Sequence, residues 1–119
     1  MSQVVLCIED NVDNAMILDS ILRRDGFTVC GAWDYNSAME IAKDQQLDLI
    51  ICDFHLPGEN APEVIASLRE FDHLRDTPVI ILTANTQNIA ESQAIGISAY
   101  LNKPIKPLDL LNAINDVMP

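Results

Sequence analysis

Four short apolar runs, VVLCIED, LDLIICD, PVIILT and AYLNK, each end on polar residues capable of chemistry: Glu9-Asp10, Asp53, Thr83 and Lys103. Runs this short, rich in Val, Ile and Leu and apolar at nearly every position, are expected to be buried strands rather than helices. FTVCGAW is expected to be a second strand in chain order, making five. Amphipathic segments separate them. Strands that alternate with helices call for a parallel sheet covered on both faces and joined by right-handed crossovers, an α/β architecture. In such a sheet the strand carboxyl ends lie along one edge, where ligands bind. Three carboxylates, a hydroxyl and an ammonium would then converge in one crevice. Crowded carboxylates call for a divalent cation, and a lysine facing them suits an anion such as a phosphoryl group.

The helical segments read as follows. The first should run from about Asp13 to Asp25, with Ala15, Ile17, Leu18, Ile21 and Leu22 inward and Gly26 ending it. Ser37 followed by Glu40 matches a capping box at the head of the second. Pro57-Gly58 marks a turn, and Asn60, Pro62 and Glu63 suit the start of a third helix that buries Val64, Ile65, Leu68 and Phe71. Pro78 opens the fourth strand, and Pro107 with Asp109 opens the last helix. The segment Thr86–Gly96 is the least anchored helix, because Ile89, Ala90, Ala94 and Ile95 are few and mostly small. It reads as a plain surface helix or, alternatively, as an element whose position can shift.

At 119 residues the chain is one domain, large enough to bury a core without disulfide or metal staples. A formal charge of −11 with only seven Lys and Arg argues against direct contact with nucleic acid. No apolar run is long enough to span a bilayer, and no basic segment followed by an apolar stretch marks a signal peptide. Cys7, Cys30 and Cys52 sit inside strand-like runs and match no zinc spacing, so they read as buried thiols in a reducing compartment, the cytoplasm.

Taken together and in order, these residues resemble the receiver domain of two-component response regulators over the whole chain, residues 1–119. The matching pieces are Glu9-Asp10, Asp53 followed by Leu56-Pro57, Thr83-Ala84, and Lys103-Pro104 with Tyr100 shortly before it. Singly, each is more often a helix cap, a strand hydroxyl or a solvated charge. The resemblance implies a flavodoxin-like, doubly wound sheet of five parallel strands, order 2-1-3-4-5, with five helices. It further implies that Asp53 is the phosphoacceptor, that Thr83 and Lys103 contact the phosphoryl group, and that Ala84 leaves room for it. Glu9, Asp10, Asp53 and the main-chain carbonyl of His55 would hold Mg²⁺ or another divalent ion such as Mn²⁺. Thr83 and Tyr100 would form a switch, and the peptide before Pro104 would be cis.

The implied function is that of a phosphorelay switch. A histidine kinase or phosphotransfer protein supplies the phosphoryl group, and the altered surface meets a downstream protein, an attached output domain or, on phosphorylation, a second copy. No contact with membrane is implied. Such a domain contributes to its own phosphorylation and dephosphorylation without being a stand-alone turnover enzyme. No output domain fits within these residues, which match either a single-domain regulator or a receiver from a longer regulator or hybrid kinase. The alternative is a receiver-fold interaction module that works without phosphorylation. Two other classes fit poorly: Glu9-Asp10-Asn11 would repel a bare nucleotide phosphate, and an aspartate-nucleophile phosphatase would need an acid where His55 stands. Ala61 occupies a position where receivers commonly have glycine, so the loop after Asp53 is expected to take its own path, with Gly58 as its flexible point.

Overall fold

The computed structural model describes residues 2–84 and 96–118. Five strands form one parallel sheet: β1 (Val4–Ile8), β2 (Thr28–Ala32), β3 (Leu49–Asp53), β6 (Val79–Thr83) and β7 (Ala99–Asn102). The spatial order is β2-β1-β3-β6-β7. Counted over these five strands alone, that is the expected 2-1-3-4-5. The two further strands, β4 (His55–Leu56) and β5 (Glu59–Asn60), form a small antiparallel hairpin after β3.

Strand alternation divides the core cleanly. Leu6, Ile8, Ile50, Cys52, Val79 and Ile81 point to one face, where helices α2 (Tyr35–Ala42) and α3 (Ala61–Leu68) cover them with Ala38, Ala42, Val64, Ile65 and Leu68. Val5, Cys7, Leu49, Ile51, Ile80 and Leu82 point to the other, beneath α1 (Val12–Arg24) and the C-terminal helix Pro107–Val117, which contribute Leu18, Leu22, Leu110 and Ile114. The near-continuous apolar runs are thus explained: both faces of each central strand are buried. Four α-helices stand among the described residues. The expected helix over Thr86–Gly96 falls almost wholly on residues 85–95, outside them.

Local chemistry sets the element ends. Asn11 caps α1 by accepting from the Asn14 amide at 2.9 Å, and Gly26, at φ +93°, follows its last turn. Ile17, expected inward, is 48% exposed, because the inward stripe is set by Leu18 and Leu22, one helical turn apart. The capping box of α2 lies three residues earlier than expected. Asp34 Oδ1 accepts from the Ser37 amide at 2.8 Å, while Ser37 Oγ accepts from the Asp34 amide at 3.1 Å. Serine therefore plays the reciprocal role expected of Glu40, whose carboxylate pairs instead with Lys43 at the surface. Asn60 caps α3 as expected, and Phe71 lies beyond the helix, half-buried against the core. Gly58 takes φ +77° in the hairpin turn, whereas Ala61 is fully buried at the first position of α3. The positive φ of this loop is thus at Gly58, and Ala61 keeps a negative φ.

Candidate functional site

The sheet register brings the expected residues to one edge. Ile8 pairs with Cys52, so Glu9 and Asp53, each one residue further on, leave their strands level with each other. Asp53 pairs with Leu82, so Thr83 comes one residue beyond that level, and Thr83 pairs with Asn102, so Lys103 comes next, its amide donating to the Thr83 carbonyl at 3.0 Å. Alternation places Glu9, Asp53 and Lys103 on the α1 side of the sheet, and Thr83 with Tyr100 on the α2–α3 side.

Lys103 Nζ lies 2.9 Å from Asp53 Oδ2 and 3.3 Å from Glu9 Oε2. The Lys103–Pro104 peptide is cis. One carboxylate oxygen from each of Glu9, Asp10 and Asp53 lies within 4.8 Å of the other two. Glu9 and Asp53 are buried, at 3% and 6% exposure, while Asp10 faces solvent. Glu9 Oε1 accepts from the Asn11 amide at 3.1 Å, but Glu9 Oε2 makes no hydrogen bond despite its ion-pair contact with Lys103. Asn11 is thus a site residue that sequence reasoning overlooked: the turn that caps α1 also orients Glu9. Its signal was an N-cap residue directly after the acidic pair.

The charge balance is unequal, with three carboxylates facing one ammonium. Burial, followed by the nearby Asp53, pushes the Glu9 carboxyl above the usual glutamate range against the opposing effects of the Asn11 amide and Lys103. For Lys103, burial favours the neutral form, but the hydrogen bond and charge of Asp53, then the charge of Glu9, raise it overall. Hard carboxylate oxygens this close together, one of them a buried atom without a hydrogen bond, fit a dication such as Mg²⁺. The His55 side chain is exposed and meets Phe54 edge-on with ring centroids 5.0 Å apart, outside the carboxylate cluster. Its amide donates to Asp53 Oδ1 at 3.4 Å. Thr83 is buried at the end of β6, and Tyr100, paired with Ile81, is half-buried against the α2–α3 core. Cys7, Cys30 and Cys52 are free thiols, with Cys30 only partly buried.

The surroundings agree with the expected fold. No helix among the described residues is long and apolar enough to cross a membrane. Vibrio cholerae chemotaxis protein CheY4 superposes with a TM-score of 0.95 at 27% identity, over 99% of this chain and 100% of that one. The receiver domain of sensor histidine kinase PA1611 from Pseudomonas aeruginosa, solved with a magnesium ion coordinated in its active-site cleft, gives 0.87 at 28% identity over 98% of each chain. In sequence, this chain is 34% identical to the sensor histidine kinase AruS of Pseudomonas aeruginosa over 95% of its length. It is 31% identical to the phosphate regulon transcriptional regulatory protein PhoB of Escherichia coli over 99%. It spans 12% of AruS and 52% of PhoB. The sequence model described as the response regulator receiver domain matches residues 5–115. With the parallel sheet, its strand order and the acidic edge already in place, the chain belongs to the response regulator receiver domain family of two-component signalling.

Proposed function

We propose that this domain is the phosphoacceptor switch of a two-component phosphorelay, with Asp53 as the nucleophile. The observation that carries this reading is the placement of Asp53 within the Glu9–Asp10 acid cluster and 2.9 Å from Lys103 Nζ. A carboxylate oxygen of Asp53 attacks phosphorus as the phosphorus–nitrogen bond of a donor phosphohistidine breaks, and the departing imidazole takes up a proton. The product is an acyl phosphate, which attack by water at phosphorus later returns to carboxylate and inorganic phosphate.

Lys103, freed from Asp53 Oδ2 as that carboxylate is consumed, turns its ammonium to a phosphoryl oxygen. Thr83 offers its hydroxyl to another. Glu9, Asp10 and Asp53, with the His55 carbonyl, are the residues that would hold Mg²⁺, which supplies neutralisation of phosphoryl charge when bound. A histidine kinase or phosphotransfer protein is the donor, a downstream protein or output domain the recipient, and the cytoplasm the setting.

The test is labelling by acetyl phosphate in Mg²⁺, read by intact mass. Wild type should gain one phosphoryl group and Asp53→Asn none, since an amide is not a nucleophile. Undiminished labelling of the variant would overturn the assignment. An unlabelled wild type would leave a receiver-fold interaction module that works without phosphorylation.

A further inference from the structure

Beside the acidic pair, between α1 and the edge strand β2, lies a cleft of about 560 Å³. It exists because the residues that face each other there are short. Gly31 projects no side chain from β2, and a Cβ built on it would meet nothing within 4 Å. Ala15 and Ser20 leave the facing side of α1 low. The ends are tall: Trp33 and Met16 are 62% and 64% exposed and stand at the cleft wall. The Trp33 main-chain amide donates to Ser37 Oγ at 2.9 Å. At the floor Cys7 is buried.

The charge along this cleft has one sign. No Lys, Arg or His lines it. Of its acids, Asp19 is paired with Arg23 at 2.8 Å and Glu9 is engaged by Lys103 and the Asn11 amide. Asp10 is exposed and makes no ion pair among the described residues. A largely apolar trough with an available carboxylate and Trp33 in its lining complements a molecule with an apolar body and one positive end. The volume lies within the range of about 300–1,000 Å³ usual for small-molecule sites.

We propose that this cleft binds a small amphipathic organic cation, its aryl or branched alkyl part over Gly31 and against Trp33, its protonated amine on Asp10. Because Asp10 also belongs to the acid cluster, such a ligand competes with the divalent ion. That clause rests on the metal reading above, whereas binding to the cleft does not.

Trp33 is the only tryptophan in the chain and so reports occupancy directly. The probe is 2-phenylethylammonium, titrated into the intact 119-residue protein in EDTA and followed by Trp33 fluorescence and by backbone amide shifts. A saturable response centred on Asp10, Gly31 and Trp33 is expected. The anionic analogue 3-phenylpropionate should bind at least about tenfold more weakly, a difference worth roughly one good contact. Gly31→Val fills the trough at a position with open space and strand-compatible backbone. It should weaken the probe by about tenfold or more while keeping the wild-type melting temperature and acetyl phosphate labelling. Mg²⁺ should raise the probe's apparent Kd in wild type.

The absence of a saturable response, equal binding by Gly31→Val, or equal binding of the anion would each overturn the site. Binding that Mg²⁺ leaves unchanged, in a protein that Mg²⁺ demonstrably stabilises, would overturn the competition. A protein that Mg²⁺ fails to stabilise, yet which binds the probe, would overturn the metal reading and leave the cleft intact.

Discussion

Glu9 carries the electrostatic tension of the site at the scale of single residues. Its carboxyl is buried, faces Asp53, and is raised above the usual range by both. An acid whose folded pKa is raised holds its proton more tightly in the native state than in the unfolded chain. Stability therefore falls as pH rises from the ordinary value near 4.5 through the raised one. Lys103 is also raised, but as a base: its contribution is complete below the ordinary value near 10.5 and is lost as pH climbs through the raised one. In EDTA, Glu9→Gln should have a higher melting temperature than wild type at neutral pH and should lose the decline above the ordinary glutamate range. Melting curves from pH 4 to 8 check this. Parallel pH profiles for the two proteins would show that Glu9 is not the group under strain.

Among elements, the hairpin and the end of β6 make the sharpest demands. Gly58 sits at φ +77°, where a side chain collides with its own backbone, so Gly58→Ala should lower stability by about 1–2 kcal/mol in urea titration. A change within error would mean that the hairpin turn relaxes. Thr83 and Tyr100 share the α2–α3 side of the sheet, the ring being paired with Ile81 two residues before the hydroxyl. A hydroxyl drawn toward a phosphoryl group would change the space beside that ring, and that would be the differential contact a two-state element needs. Amide hydrogen exchange over residues 84–101 should change when beryllofluoride occupies the site, and change less in Thr83→Ala, which should still be labelled at Asp53. An unchanged wild-type pattern at full occupancy would remove the switch.

For the whole molecule, three clustered carboxylates against one ammonium would make the binding of a dication a source of folding stability. At ten times the dissociation constant, Mg²⁺ should add about 1.4 kcal/mol, several degrees of melting temperature in a domain this size. Asp10→Asn should shrink that gain. Equal shifts in wild type and variant would place the ion elsewhere.

The alternation of apolar runs and amphipathic segments determined the fold class, because a strand apolar on both sides must be covered on both sides. The residues ending those runs determined the site, because parallel strands deliver their carboxyl ends to one edge. Only the tertiary structure decided the rest. Glu9, Asp53 and Lys103 share one face while Thr83 and Tyr100 take the other, a consequence of inter-strand register that no single segment contains. The capping box of α2 went to Asp34 and Ser37 because both boxes fit the local spacing and the end of β2 decided where the helix could begin. The cleft over Gly31 was not legible at all. A missing side chain becomes a cavity only when the helix packed across from it is also short of side chains, and that pairing is made by the fold.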